Sequence, residues 1–354
     1  MKPTPKIDIE LFNSYAERKL VTCRPHPTAD LYVWNYTPVV QFGKNWDEVT
    51  TTCRGLITDF EGNIVARGFK KFWNWQEHQG EDSKLPKLPF EDFRIYDKLD
   101  GSLGILYQLD GRSYLATRGS FESDQAKAGT QILRDKYGGY KFDPGLSYLF
   151  EILVPENRIV VDYGDTRDIV LLAILDTSSG QDVELTGDYP FPVVESYPLQ
   201  PLEDLLKVTR DNSEGFVIQY RPSGIRTKIK HAEYVRLHRL LTNVSSKSIW
   251  EALKAHTEMN ELLNNVPDEF ADFVNQTIEK LTTKRNAIVA KATEAFERLA
   301  KSERRDIAFA LKDDKTIMSM VFAMLDGKDA LVDEIGWKAV KPEYARPFVV
   351  DIDA

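Results

Sequence analysis

The pattern of apolar and polar residues divides the chain into a mixed first part and a helical second part. Up to about residue 234, short apolar runs alternate with clusters of Gly, Pro, Asn and Asp, which predicts strands joined by turns. From about residue 235 to 326, apolar residues recur at helical spacing in almost every segment. We therefore expect an α+β domain over residues 1–240 and an all-helical domain over residues 241–354.

The first part is predicted to be rich in strands. An alternating segment over residues 31–42 predicts a strand with Tyr32, Trp34 and Tyr36 on one face, where we expect them to serve packing. A hairpin is predicted next, over residues 52–67. Further strands are expected over residues 103–107, 113–120, 147–153, 169–176, 212–218 and 226–230, and helices over 8–20, 123–137 and 202–208.

The second part is predicted to consist of helices alone. Asp268, which follows a proline, is expected to open the longest helix, and Gly327 is expected to close the last one. The helices are expected over residues 235–241, 246–256, 268–300, 303–311 and 317–325.

Charge is uneven along the chain. With 46 basic and 55 acidic residues the net charge is -9, which argues against indiscriminate coating of nucleic acid but is compatible with a local basic groove. Residues 280–305 concentrate bases, and this stretch either presents a nucleic acid or forms a solvated helix face whose glutamates pair with the bases. The bases are Lys280, Lys284, Arg285, Lys291, Arg298, Lys301, Arg304 and Arg305.

The two cysteines, Cys23 and Cys53, lack the spacing of a metal site, so we expect reduced thiols and no zinc. The N-terminus has no apolar signal core, and no run approaches the roughly 20 apolar residues that span a bilayer. We expect a soluble, cytoplasmic or otherwise intracellular monomer without membrane contact.

The segment Lys98-Leu99-Asp100-Gly101 lies where a predicted strand turns into the next, so the lysine can face a pocket. Glycine allows close approach of backbone to a ligand, and Asp100 supplies a charge that could orient an amine or help hold a metal. This short pattern is also common in surface turns, so its significance depends on other residues.

Downstream, Glu151 interrupts an apolar strand, and Glu214-Gly215 enters another. Lys228 and Lys230 are two residues apart, which places both ammonium groups on one face of a strand. A lysine, two glutamates and a paired-lysine strand in this order resemble the motifs of the covalent nucleotidyltransferases, namely ATP-dependent RNA and DNA ligases and mRNA capping enzymes.

Further motifs resemble the bacteriophage-type RNA ligase 1 family over residues 50–234. They are the Arg54-Gly55 pair, Lys71 in a Lys-Phe-x-Asn segment, Arg118 before Gly-Ser, and the Lys-x-Lys-x-x-x-Tyr sequence ending at Tyr234. The resemblance implies an adenylation domain of mostly antiparallel sheets with flanking helices. It also implies that residues 169–176 form a strand at the nucleotide site. The apolar sequence of this segment is equally compatible with a strand in the central core.

The resemblance implies a chemistry in which the Lys98 amine attacks the α-phosphate of ATP to form lysyl-AMP. The AMP passes to an RNA 5′-phosphate, and an RNA 3′-hydroxyl displaces it. Lys228 and Lys230, with Mg²⁺ or Mn²⁺, would favour the neutral amine and offset charge on the phosphate. Glu151 and Glu214 would hold the metal through water or bind ribose. Nucleotide or RNA-phosphate contacts are implied for Arg54, Lys71, Asp100, Gly101, Arg118, Glu151, Glu214, Gly215, Lys228 and Lys230.

Two alternatives stay open. A DNA ligase or capping guanylyltransferase would share the central motifs but should carry a small β-barrel after the paired-lysine strand, and no series of short alternating strands follows residue 235. A non-catalytic RNA-binding protein would require the whole motif set to be coincidence. The absence of a phosphate-binding P-loop sequence argues against a fused kinase domain.

Overall fold

A computed structural model of the chain describes residues 5–79, 85–242, 244–257 and 271–343. The Cα positions separate into two compact units, Met1–Leu241 (unit 1) and Thr242–Ala354 (unit 2). The boundary between the units lies next to the predicted division after residue 240. That the two parts are independent domains stays a prediction.

Unit 1 is built on three antiparallel sheets, as expected for this α+β fold. The first sheet has the order β1-β2-β3-β4, the second β10-β9-β8-β6-β7, and the third β11-β5-β12-β13. The strands are β1 (Val21–Pro25), β2 (Tyr32–Tyr36), β3 (Arg54–Thr58), β4 (Ile64–Ala66), β5 (Asp92–Lys98), β6 (Ser102–Leu109), β7 (Arg112–Ala116), β8 (Leu146–Leu153), β9 (Asp168–Asp176), β10 (Asp182–Val183), β11 (Ser196–Tyr197), β12 (Gly215–Arg221) and β13 (Arg226–Lys230).

The helices of unit 1 are short except for one. They are α1 (Ile9–Glu17), α2 (Pro38–Gly43), α3 (Glu48–Thr52), α4 (Asp124–Tyr137), α5 (Leu202–Leu205) and α6 (Ala232–Thr242), which runs to the edge of the unit. The side chain of Ser123 caps α4 by accepting a hydrogen bond from the Ala126 N–H, so the helix begins where the sequence predicted.

The five-stranded second sheet is the centre of unit 1. Alternate residues of β8 face opposite sides, so Phe150 contributes to a core shared with α4. Leu149 contributes to the core on the other face, together with Ile57 of the first sheet. The 169–176 strand, β9, lies between β8 and β10, and its Ile169 and Leu171 are fully buried.

Two strand predictions were too long. The strand predicted over 31–42 ends at Tyr36, because Thr37 and Pro38 begin α2 and proline suits a first helical turn. The strand predicted over 113–120 ends at Ala116, because Thr117 and Ser120 pair across a turn that carries Arg118.

The described part of unit 2 is helical, as predicted. Its helices are α7 (Ser246–Lys254), α8 (Ala271–Leu299), α9 (Arg304–Ala310), α10 (Lys315–Leu325) and α11 (Asp329–Ala339). Asp268, predicted to open the long helix, lies outside the described residues. Helix α11 was not predicted from the sequence. Its Trp337 packs against Trp250, and the Trp250 indole N–H donates a hydrogen bond to the Trp337 backbone carbonyl at 2.8 Å.

The basic stretch of α8 and α9 is partly paired within unit 2. Arg285 forms an ion pair with Asp333 and lies 5.6 Å from the ring centre of Trp337. Arg304 forms an ion pair with Asp326 at 2.7 Å. These two bases therefore pair with aspartates outside the basic stretch rather than with its glutamates, while Lys284 and Lys291 have exposed side chains. The choice between RNA presentation and a solvated face stays a prediction.

None of the helices in the described ranges is both long and apolar enough to cross a membrane.

Candidate functional site

The predicted nucleophile, Lys98, lies at the end of β5 in a row that crosses three strands of the third sheet. Lys98 pairs with Gly215 of β12, and Gly215 pairs with Lys230 of β13. The side chain of Glu214 reaches both lysines: its Oε2 lies 2.7 Å from Lys98 Nζ and its Oε1 lies 3.2 Å from Lys230 Nζ. One buried carboxylate thus joins two of the predicted catalytic lysines.

Gly215 makes this row possible. Its φ is +146°, and a Cβ added there would lie 2.0 Å from the Ile229 carbonyl oxygen. Any side chain would therefore push β13, and Lys230 with it, away from Glu214.

The Asp100 carboxylate is tied into the protein. It is 4% exposed, and its Oδ2 accepts hydrogen bonds from the backbone N–H groups of Val160 and Val161 at 2.8 and 2.9 Å. Its Oδ1 accepts from the Tyr234 hydroxyl at 2.7 Å, and its own backbone N–H donates to the Tyr163 hydroxyl at 2.9 Å. These bonds hold the loop after Lys98, a role that the sequence did not reveal.

Tyr234 also contacts the paired-lysine strand, because Lys230 Nζ lies 5.2 Å from its ring centre. The tyrosine that closes the Lys-x-Lys-x-x-x-Tyr motif therefore connects Lys230 to the loop at Asp100.

Glu151, on β8, reaches the same loop. Its Oε1 accepts a hydrogen bond from the Gly101 N–H at 2.9 Å. A Cβ on Gly101 would lie 2.5 Å from the Ile152 carbonyl oxygen, so glycine is needed here for the loop to pack on β8. That Gly101 also allows a ligand to approach the backbone closely stays a prediction.

The electrostatic environment of Glu151 disfavours its charge. Burial raises the pKa of its carboxyl from 4.5 to about 7. The neighbouring carboxylates of Glu214 and Asp100 act in the same direction, whereas the Lys98 ammonium opposes them. A cation placed beside Glu151 would favour its charged form.

Lys71 and Arg118 meet at one aromatic ring. Lys71 is 6% exposed, and its Nζ lies 5.6 Å from the ring centre of Tyr36. The guanidinium of Arg118 lies 5.2 Å from the same ring centre, and its Nη1 donates a hydrogen bond to the Tyr36 hydroxyl at 3.0 Å. Arg54, also predicted to bind phosphate, lies 5.5 Å from the ring centre of Phe72.

The Lys-Phe-x-Asn segment runs beside the paired-lysine strand. The backbone N–H of Lys228 donates to the Trp73 carbonyl at 3.0 Å, and Asn74 forms a parallel bridge with Lys228. Lys71 and Lys228 are thus carried by adjoining pieces of backbone, although 156 residues lie between them in the sequence.

The acidic residues present suit a largely hydrated cation. Within the described ranges, no three or more His, Cys, Asp or Glu side chains are arranged to hold a metal ion. Glu151 and Glu214 supply two carboxylates close enough to influence each other. This number fits Mg²⁺, which keeps several of its waters and takes few protein ligands.

Direct contacts therefore bring together Lys98, Glu151, Glu214 and Lys230 through the Asp100–Gly101 loop and the third sheet. Lys71 and Arg118 form a second group at Tyr36. Sequence reasoning missed Tyr36 and Tyr163. The position of Tyr36 in a strand rich in aromatic residues was visible in the sequence, but that pattern indicated a packing role rather than a functional one.

A comparison with known families identifies the chain. The RNA ligase family model matches residues 52–234, which is just over half of the sequence. The chain belongs to this RNA ligase family, and the predicted family is confirmed.

Individual relatives agree with the family. A protein with a provisional RNA ligase name from Thermovibrio ammonificans is 26% identical over 245 residues, covering 64% of this chain and 62% of that protein. A provisionally named bifunctional polynucleotide kinase/RNA ligase of Autographa californica nuclear polyhedrosis virus is 27% identical over 270 residues, covering 67% of this chain and 38% of that protein. The chain therefore spans less than two thirds of the length of these two relatives.

Among solved structures, an archaeal ATP-dependent RNA ligase resembles this chain with a TM-score of 0.43 and 15% identity, covering 75% of this chain and 73% of that one.

Proposed function

We propose that the protein is an ATP-dependent RNA ligase that joins an RNA 5′-phosphate to an RNA 3′-hydroxyl through lysyl-AMP and an RNA-adenylate. The observation that carries the proposal is the placement of Lys98 and Lys230 on one buried carboxylate, Glu214, with Glu151 beside them. A lysine nucleophile for phosphoryl chemistry needs nearby positive charge and carboxylates that orient it, and this site supplies both.

In the first step, Lys98 Nζ forms a bond to the α-phosphorus of ATP while the bond to pyrophosphate breaks. Nζ attacks as the neutral amine, so it must release its hydrogen bond to Glu214 Oε2 and pass its extra proton to that carboxylate or to water. Lys228 and Lys230 lie on the same face of β13 and are placed to offset negative charge on the phosphate oxygens.

In the second step, the AMP moves from Lys98 to the RNA 5′-phosphate, and in the third step an RNA 3′-hydroxyl displaces AMP. Arg54, Lys71 and Arg118 are proposed to bind the phosphates of ATP or of the RNA end, because guanidinium and ammonium groups are the usual phosphate ligands. A divalent cation held through water by Glu151 and Glu214 would neutralise phosphate charge.

The alternative of a DNA ligase or capping enzyme is disfavoured by unit 2. Such an enzyme should carry a β-barrel after the paired-lysine strand, yet residues 244–257 and 271–343 contain helices and no strand. The named relatives are RNA ligases, which favours RNA ends and ATP as the substrates. We also propose that the enzyme works as an intracellular monomer, in keeping with its two unpaired cysteines.

The decisive experiment is to incubate the protein with ATP labelled at the α-phosphate and Mg²⁺. We expect label that resists denaturation, since a phosphoramidate bond is covalent, and release of that label when 5′-phosphorylated RNA is added. A protein that binds RNA but never takes the label would refute ligase function and favour a non-catalytic RNA-binding role.

Glu151 provides a prediction that does not depend on activity. Because its pKa is raised in the folded state, the native protein binds more protons than the unfolded chain between pH 4.5 and about 7. Stability should therefore fall as pH rises through this window, by at most roughly 3 kcal/mol, and Glu151→Gln should remove that loss. Thermal unfolding of both proteins from pH 4.5 to 8 measures the difference.

Added Mg²⁺ extends the test of Glu151. At pH 8 the ion should stabilise the wild-type protein more than Glu151→Gln, because only a carboxylate attracts it strongly. Glu122→Gln, at an exposed position, serves as the control and should respond like the wild type. A difference between wild type and Glu151→Gln that does not change with pH would contradict the raised pKa.

A further inference from the structure

Tyr36, at the end of β2, links two cations that come from distant parts of the sequence. It is 4% exposed, and its hydroxyl accepts a hydrogen bond from Arg118 Nη1 at 3.0 Å. The guanidinium of Arg118 and the ammonium of Lys71 lie 5.2 and 5.6 Å from its ring centre. One buried side chain therefore contacts both groups.

Trp46 forms a second wall around Lys71. Its ring lies 4.9 Å from that of Tyr36 at an angle of 83°, and Lys71 Nζ lies 5.1 Å from its centre. Trp73 packs edge-on against Trp46 with 5.7 Å between ring centres. The rings thus support one another, and Lys71 Nζ is near the faces of two of them.

Two cations that share one contact residue repel each other, and burial strengthens that repulsion. The negative face of an aromatic ring attracts cations, and the effect grows when they are shielded from water. A hydrogen bond from a guanidinium to a phenol oxygen also fixes the direction of the guanidinium. The cluster therefore holds positive charge in a set geometry, and such a geometry suits a ligand with several negative oxygens.

We propose that Tyr36 is a positioning residue, which sets the relative placement of Arg118 and Lys71 for binding phosphate groups. Trp46 contacts Lys71 from a second side and helps to hold it in place. The inference rests on the proposed function, because it takes these two cations to bind phosphate of ATP or of the RNA 5′ end. Tyr36 acts through its neighbours: the hydroxyl through Arg118, and the ring through both cations.

The test is a double-mutant cycle read in three separate reactions. Tyr36→Phe, Arg118→Gln and the double variant are assayed for labelling by α-labelled ATP, for AMP transfer to 5′-phosphorylated RNA, and for sealing of pre-adenylylated RNA. The first reaction reports on ATP phosphates and the others on the RNA end, so the cycle also shows which source of phosphate Arg118 serves. Tyr137→Phe is the matched control, because it removes a buried hydroxyl that bonds only Asp168 among the described hydrogen bonds.

We expect Tyr36→Phe to lose about tenfold in the reaction that Arg118→Gln impairs most, and to cause no further loss in the double variant. Its melting temperature should stay near that of the wild type, and Tyr137→Phe should keep the wild-type pattern across the three reactions. Multiplied losses in the double variant, or equal losses in all three reactions, would show a merely structural role for the Tyr36 hydroxyl and overturn the inference.

The contribution of the Trp46 ring is tested by comparing Trp46→Leu with Lys71→Ala. Trp46→Leu should impair the same reaction as Lys71→Ala. Impairment of a different reaction would refute the claim that the Trp46 ring positions Lys71. A wild-type protein that takes no label would refute the proposed function and the inference with it. A labelled wild type whose Tyr36→Phe and Arg118→Gln losses multiply would refute the inference alone.

Discussion

Replacing Lys98 by alanine or by arginine is expected to abolish the covalent adenylate. Alanine removes the nucleophile, and arginine replaces it with a guanidinium that stays protonated and attacks poorly. Arginine can still form an ion pair with Glu214, so its loss of activity should come without loss of the fold. The measurement is label retained from α-labelled ATP after denaturation, alongside thermal unfolding.

A matched control is available in Lys136→Arg, since Lys136 also forms an ion pair, with Asp168 at 2.9 Å. It should label like the wild type. Covalent label on either Lys98 variant would refute the assignment of the nucleophile. Given RNA that is already adenylylated, Lys98→Ala should still seal, because that step does not use the nucleophile. Failure to seal with the fold intact would show that Lys98 also serves the last step.

Replacing Glu214 should affect both activity and stability. In Glu214→Gln, Lys98 and Lys230 lose the carboxylate that they share, and two ammonium groups are left near each other. We expect the labelling rate to fall by about a hundredfold or more, and the free energy of unfolding to fall by roughly 1–3 kcal/mol. The estimate is below the usual cost of breaking a buried ion pair because Lys98 is 21% exposed.

The double variant Lys98→Ala/Glu214→Gln distinguishes repulsion from lost packing. Removing one ammonium should restore part of the stability lost in Glu214→Gln, which urea unfolding of the four proteins can measure. If the two substitutions instead destabilise additively, the shared carboxylate does not couple the lysines.

The sequence predicted β12, β13 and the end of β5 in the third sheet because that information is local, and it did not predict β11. The spacing of Lys228 and Lys230 places both on one face of a strand whatever lies around it, and Glu214-Gly215 and Lys98 each mark a strand end. The order of these segments then sufficed to indicate the family. It did not indicate that Gly215 pairs with both lysines, because register depends on contacts between strands that lie far apart in the chain.

The remaining differences between the predictions and the structure have other physical causes. Alternation continued past Tyr36, but the fixed φ of Pro38 favours a helix start, and this local preference ended the strand. A role for Asp100 in orienting an amine or a metal stays a prediction; its carboxylate accepts bonds from residues 160, 161 and 234. No spacing rule predicts which distant backbone N–H groups a buried carboxylate will meet.

The hydrogen bond between Tyr234 and Asp100 limits where this protein can be joined to parts of other proteins. The loop after Lys98 depends on a hydroxyl from the first turn of α6, a helix that follows the last strand of the third sheet. A chimera joined directly after Lys230 would keep every charged residue proposed for catalysis and still lose that support. Junctions with a foreign C-terminal partner therefore belong beyond Tyr234, and a family comparison of exchangeable parts should treat α6 as a piece of the catalytic module.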